Sequence, residues 1–245
     1  MTLYGADLSR IQAEGFGALA RAPSPELVSI LKGSSIAVRR VYDVGCGAGV
    51  TTRALVEAGF DVTAVEPSPP LTEIARAHAP GATFVCASAY DVELEACDAV
   101  LAIGEALTYH ALPGPSGEDA DARVRSFFET VAGALAAVGR FVFDVIDVDG
   151  PSLDARGWRS EPLWTVLWET REDRAARRLV RCVDTFVRED DGRYRRAGES
   201  HHVRLFRERD LRSWLEAVGF DVETARAYGA VALGPRRVAF VATRR

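Results

Sequence analysis

Apolar residues recur at helical spacing through Ile11–Leu19 and Glu26–Lys32, and Pro23-Ser24-Pro25 separates the two stretches. Val41–Val44 is a short apolar run ending in glycines, which predicts a strand. Thr51–Ala58 predicts a helix closed by Gly59. Asp61–Val65 predicts the next strand, and Pro70–His78 a helix stopped by Pro80-Gly81. Thr83–Ala87 and Ala99–Ile103 read as a third and fourth strand. After a Pro-, Gly- and acid-rich loop over Pro113–Asp121, the segment Arg123–Ala137 sets Val124, Phe127, Phe128, Val131 and Leu135 on one helical face. Gly139 is expected to end that helix and Arg140–Ile146 to form a fifth strand. Repeated strand–helix–strand units imply a parallel sheet with helices on both faces.

The period changes after residue 150. Leu163–Trp168, Leu179–Val187 and Tyr194–Phe206 read as extended runs, with Asp190-Asp191-Gly192 as a hairpin turn between the last two. Asp210–Val218 returns to helical spacing, and Phe220–Ala227 and Val238–Thr243 form a final antiparallel pair. The expected fold is α/β: a Rossmann-like, doubly wound, seven-stranded sheet with a C-terminal antiparallel strand pair and an antiparallel β insertion acting as a flap. One domain spans residues 1–245. Residues 1–38 form an N-terminal helical segment, 39–150 and 207–245 the core, and 151–206 the insertion.

Composition narrows the class. The 245 residues suffice for one sizeable α/β core. A formal net charge of −5 argues against a nucleic-acid partner, because acids interleave with the arginines of Arg178–Arg209. No apolar run approaches the roughly 18 residues of a membrane span, and Met1–Arg10 does not read as a signal peptide, so no membrane association and a cytoplasmic location are expected. The four cysteines form no C-x-x-C pair and no histidine cluster has zinc spacing, so no metal is expected.

The most informative stretch is Asp43-Val44-Gly45-Cys46-Gly47-Ala48-Gly49. Glycines between a strand and a helix permit positive φ and leave no Cβ between backbone and ligand. The following helix offers free N–H groups. Glu66 ends the second strand, 17 residues past Gly49, where an acid accepts hydrogen bonds from a ribose diol. The spacing is G-x-G-x-G, not the dinucleotide G-x-G-x-x-G, since Val50 follows Gly49. Ser88-Ala89-Tyr90-Asp91, after the third strand, could offer backbone N–H groups and a side-chain oxygen to an adenine edge.

Asp43–Gly49 resembles motif I of the class I methyltransferases that depend on S-adenosylmethionine. Val62–Glu66 resembles the following motif, Cys97–Gly104 the fourth-strand motif and Gly139–Val145 the fifth. The resemblance runs from about Tyr4 to Arg244. It implies S-adenosylmethionine as cofactor, S-adenosylhomocysteine as product, and a binding set of Asp43, Gly45, Cys46, Gly47, Gly49, Glu66, Pro67, Ser88, Ala89, Tyr90, Ile103 and Gly104. Many members carry Asp where Ser88 stands, so Ser88, Asp91 or a backbone carbonyl must serve the adenine here. Tyr4–Arg21 is similar to the helical lid of small-molecule methyltransferases, with Tyr4 or Phe16 placed to lean over the cofactor.

Methyl transfer needs the nucleophile held about 3–3.5 Å from the methyl carbon with water excluded. A base is needed only when the nucleophile must lose a proton. The candidates are His201 first, then His110 and Tyr109. Alternation on a strand lets only one of His201 and His202 face a pocket. Trp158, Trp164, Trp168, Phe186 and Tyr194 are expected to line or support that pocket. The expected activity is methylation of an O or N nucleophile on a small molecule. A nicotinamide-dependent oxidoreductase and a non-catalytic S-adenosylmethionine-binding module remain alternatives, and the oligomeric state is unknown.

Overall fold

A computed structural model of the chain describes residues 3–109 and 117–245. The elements in chain order are α1 (Ala6–Arg21), α2 (Ser24–Lys32), β1 (Arg40–Val44), α3 (Val50–Glu57), β2 (Asp61–Val65), α4 (Pro69–His78), β3 (Thr83–Val85) and β4 (Cys97–Ala102). They continue with a 3-10 turn (Ala106–Thr108), α5 (Gly117–Ala134), β5 (Leu135–Ile146), β6 (Ala155–Glu161), β7 (Trp164–Asp173), β8 (Arg178–Arg188) and β9 (Tyr194–Arg204). The chain closes with α6 (Glu208–Ala217), β10 (Phe220–Ala225), the short β11 (Ala227–Tyr228) and β12 (Val231–Ala232), and β13 (Arg237–Arg244).

The main sheet has seven strands in the order β10-β13-β5-β4-β1-β2-β3. β3, β2, β1, β4 and β5 run parallel, while β13 is antiparallel to both β5 and β10. Strands β1 to β3 step outward in one direction, and β4 returns to the other side of β1. The carboxyl ends of β1 and β4 therefore flank a crevice, the place where open α/β sheets bind ligands.

Each sheet face has its own core. On one side Phe127 and Phe128 of α5 and Leu211 and Leu215 of α6 cover Phe141, Phe143 and Phe240. The Phe143 and Phe240 rings stack at 4.7 Å. On the other side Leu27, Leu31 and Leu55 cover Val41, Val62, Leu101 and Val142. Among the described residues no helix is long and apolar enough to cross a membrane.

The insertion is a separate antiparallel sheet, β6-β7-β8-β9. It has four strands where the sequence pattern marks three. Strand β6 reads Ala-Arg-Gly-Trp-Arg-Ser-Glu, is mostly exposed, and has no apolar alternation; pairing with β7 over Ala155–Glu161 alone makes it a strand. Trp164, Val166, Val183 and Val187 of this sheet form one cluster with Leu8 and Ile11 of α1.

Other boundaries also differ from the sequence pattern. Ser24 and Pro25 open α2 instead of preceding it, since proline suits a first turn whose N–H groups are unpaired. Helix α5 stops at Ala134, and Leu135 already pairs with Cys97; the register then jumps to Ala99–Arg140 across a bulge holding Gly139. Strand β3 ends at Val85, two residues early, and β10 ends at Ala225, with the β11–β12 hairpin before β13.

Candidate active site

The turn after β1 is built by continued pairing with β2. The Val65 carbonyl accepts the N–H groups of Gly45 (2.7 Å) and Cys46 (3.0 Å). Gly45, Gly47 and Gly49 all take positive φ, at 72°, 55° and 78°. A Cβ at Gly47 would meet no atom within 4 Å, so the backbone there borders open space that a side chain would fill. Thr52 of α3 donates to Asp43 Oδ2 at 2.6 Å, which fastens the start of that helix to β1. Cys46 is buried, and burial pushes its thiol up.

Glu66 sits beside this turn at 5% exposure. Its Oε2 accepts the Gly47 N–H (3.0 Å) and its Oε1 the Ser68 N–H (2.9 Å). A carboxylate has about four lone-pair sites, so further capacity remains on this group. Burial raises Glu66 from 4.5 to about 7 and Asp43 from 3.8 to about 6. The open turn and the spare acceptors fit a nucleoside whose diol would face Glu66. Pro67 is exposed at the bend that follows.

Among the loop residues after β3, Ser88 Oγ accepts the Tyr90 N–H at 3.2 Å, and the Ser88 carbonyl accepts the Asp91 N–H. Asp91 is turned to Arg123, 3.7 Å away. Ala89 is buried, and the Tyr90 hydroxyl donates to the Leu107 carbonyl at 2.5 Å. After β4, Ile103 packs on the α2–α3 side of the core. Gly104 takes φ 74°, and a Cβ placed on it would meet no atom within 4 Å. Glu105 is also left-handed, at φ 68°, an uncommon state for a non-glycine residue. Asp144 holds this turn by accepting both N–H groups, Gly104 at 2.8 Å and Glu105 at 2.9 Å, and the Tyr228 hydroxyl at 3.1 Å. Burial raises Asp144, and its bond to the Glu105 N–H helps hold that residue in its left-handed conformation.

A strap formed by residues 3–5 joins the two halves of the site. The Tyr4 carbonyl accepts from Ser68 Oγ at 2.7 Å. The N–H groups of Tyr4 and Gly5 donate to Glu199 on β9, at 2.9 and 2.8 Å. His201, two residues along β9, is 2% exposed and has Nε2 2.9 Å from Glu199 Oε2. The Tyr4 and Tyr109 rings lie 4.8 and 5.9 Å from its imidazole. Tyr109 accepts from Arg181 at 2.6 Å, and Arg181 approaches Glu105 at 3.5 Å. Arg237 pairs with the other Glu105 oxygen.

Tyr4, Tyr109 and His201 therefore meet. His202 points to the other face of β9, and His110 lies outside the described residues. Phe16 does not reach this group; its ring meets the edge of Trp168 at 6.4 Å, with Arg159 over its face. The aromatics expected to line a pocket divide. Trp164 is buried against α1, whereas Trp158 and Tyr194 are 70% and 56% exposed. Arg181, Glu199 and Arg237 join the group although the sequence pattern does not single them out. Glu199 had a signal: at two residues from His201 on a strand it shares that residue's face. Arg181 and Arg237 had none, because strand pairing alone brings them to Glu105.

Residues 41–124 match the model of the methyltransferase domain family. An uncharacterized methyltransferase of Mycobacterium bovis is 38% identical over 106 residues, covering 41% of this chain and 43% of that protein. The match thus spans less than half the length of that relative. A putative methyltransferase of a Geobacillus species is 28% identical over 75% of this chain and 74% of its own. Among solved structures, an S-adenosylmethionine-dependent methyltransferase from Clostridium acetobutylicum superposes with a TM-score of 0.79 at 16% identity, covering 96% of this chain and 97% of that one. An amino pentose methyltransferase from Micromonospora echinaspora, solved with S-adenosylmethionine bound, gives 0.75 at 19% identity, covering 100% and 99%. The fold is that of Rossmann-like methyltransferases. The matched methyltransferase-domain segment contains both the glycine turn and Glu66, and the chain as a whole shares the fold of S-adenosylmethionine-dependent methyltransferases.

Proposed function

We propose that the protein transfers a methyl group from S-adenosylmethionine to an oxygen or nitrogen nucleophile of a small molecule. The observation that carries this reading is the pairing of an open glycine turn with the buried Glu66 at the sheet's switch point. Bound there, the cofactor supplies an activated methyl group. Gly45–Gly49 would hold its amino-acid end by backbone contacts, Glu66 its ribose, and the Ser88–Tyr90 loop and Ile103 its adenine. Since Ser88 Oγ and Asp91 are engaged locally, the adenine contact falls to backbone groups of this loop.

The residues facing the crevice from the other side position the acceptor. His201 is the candidate base, with Tyr109 next to it. His110 remains a candidate from sequence alone. Strap and flap close over the crevice and exclude water, which strengthens every polar interaction inside it. Structures covering the whole chain support a sugar-sized acceptor: besides the amino pentose enzyme, a sugar N-methyltransferase from a Streptoalloteichus species gives a TM-score of 0.73 at 23% identity. The matched family favours S-adenosylmethionine over a nicotinamide cofactor, and a polar group set around the strap favours catalysis over mere binding.

Calorimetric titration with S-adenosylhomocysteine tests the reading. Wild type should bind in the micromolar range. Glu66→Ala should weaken binding tenfold or more, about 1.4 kcal/mol, and Gly47→Val should abolish it by filling the turn. A folded wild type that binds no S-adenosylhomocysteine would overturn the assignment.

A further inference from the structure

Glu199 is largely committed before any substrate arrives. Its Oε2 faces both His201 Nε2 (2.9 Å) and the Tyr4 N–H (2.9 Å), and its Oε1 faces the Gly5 N–H (2.8 Å). Burial opposes ionisation, but the hydrogen bonds from His201, Gly5 and Tyr4 hold this carboxyl below its ordinary value. An ionised carboxylate only accepts. The proton of the neutral imidazole must therefore sit on Nε2. Nδ1 is left with its lone pair, buried and without a hydrogen-bond partner among the described residues. A buried acceptor without a partner is unfavourable, and a donor from a bound molecule would relieve that cost.

We propose that Glu199 is a positioning residue with two linked duties: it fixes the His201 tautomer that leaves Nδ1 free as proton acceptor, and it fastens the N-terminal strap over the site. One carboxylate thereby ties the readiness of the base to the closure of the strap. Through Tyr4 and Ser68 the same strap touches the loop that carries Glu66. The use of Nδ1 on an acceptor rests on the methyl-transfer reading; the tautomer and the strap contact do not.

The geometry makes Glu199→Gln a sharp test, because a carboxamide has one oxygen and one NH2 group. With the oxygen toward His201 and Tyr4, the NH2 group opposes the Gly5 N–H. With the oxygen toward Gly5, the NH2 group donates to Nε2 and forces the proton to Nδ1. At least one of two readouts must move. The first is the tautomer of His201 in long-range proton–nitrogen spectra at pH 8, with the signal assigned by a His201→Gln variant. The second is amide hydrogen exchange at Tyr4 and Gly5, expected to rise about tenfold where a charge-assisted bond is lost.

Wild type should show a single Nε2–H form and protected Tyr4 and Gly5 amides. A wild-type His201 carrying its proton on Nδ1 overturns the proposal, and that arm stands even if the variant fails to fold. A folded Glu199→Gln protein with unchanged tautomer and unchanged exchange also overturns it. S-adenosylhomocysteine titration of wild type is read separately: its failure removes the methyltransferase reading and leaves the Glu199 result in place.

Discussion

Two carboxyls set the pH behaviour of the cofactor side. Glu66 titrates near 4.5 in an unfolded chain and at about 7 when folded. Between those values the native state holds a proton that the unfolded state has released. The resulting stabilisation is complete below about pH 4.5 and is lost as pH rises through 7; it amounts to about 3 kcal/mol. Asp43, raised to about 6, acts in the same direction. A diol donating to Glu66 favours the ionised form and so reverses the shift. Binding of S-adenosylhomocysteine at pH 6.5 should therefore release protons, and the calorimetric enthalpy should change with the ionisation enthalpy of the buffer. Glu66→Gln should reduce that buffer dependence to the small remainder from Asp43. A buffer-independent enthalpy in wild type would show that Glu66 does not meet the ligand.

At the scale of elements, the contact between α1 and the flap turns on a single missing side chain. A Cβ on Gly15 would lie 2.7 Å from the Trp164 ring, and Trp164 Nε1 donates to Glu14 at 2.9 Å. Two effects oppose each other in Gly15→Ala. Helix propensity favours alanine by about 1 kcal/mol, while overpacking costs about 1–3 kcal/mol. The second should win, giving a lower urea midpoint. Gly133→Ala in α5, where a Cβ meets nothing within 4 Å, should show the propensity gain alone. Equal stabilisation by both would mean that α1 does not seat on Trp164.

This contact also marks where the sequence stops being legible. Strand, turn and helix around Gly45–Gly49 are contiguous, so their chemistry could be read from one short segment, and Glu66 followed from spacing. The meeting of Tyr4, Tyr109 and His201 is a tertiary event spanning nearly 200 positions; chemistry makes His201 and Tyr109 candidates one by one, but nothing in the sequence brings them together or adds Tyr4 to them. Glu199, which orients His201, was readable only as a neighbour on the same strand face, and the cations around Glu105 come from two distant strands, Arg181 from β8 and Arg237 from β13. Strand β6 escaped because exposed edge residues carry no apolar period.

Across the whole molecule, the flap is bolted to the core through buried charge. Arg236, from the loop before β13, donates to the carbonyls of Asp147 (2.8 Å), Val148 (2.7 Å) and Pro151 (2.9 Å), and to Glu172 of β7 at 2.8 Å. Arg204 of β9 makes a second bolt to Asp121 of α5 at 3.0 Å. Removing one member of a buried pair costs about 3–5 kcal/mol because the other charge stays behind. Arg236→Met should destabilise by an amount in that range in urea denaturation. The double variant with Glu172→Met should recover part of the loss. Additive losses would show that the carbonyl contacts, and not the ion pair, hold the flap.

The insertion leaves the core at Ile146–Val148 and returns at Phe206, and these two points touch: Val148 N–H donates to the Phe206 carbonyl at 2.8 Å, and Phe206 N–H to the Ile146 carbonyl at 3.0 Å. Everything between them is therefore a cassette whose two chain ends meet at one point of the core, with the Arg236–Glu172 and Arg204–Asp121 pairs as its further anchors. Lengthening or exchanging it changes no strand of the seven-stranded sheet, and each doubling of such a loop adds only about 0.6 kcal/mol of closure cost. On the proposed function, such an exchange would alter the acceptor side and leave the Glu66 half as it is, so long as each new cassette keeps partners for Asp121 and Arg236 and a seat for Leu8 and Ile11 of α1.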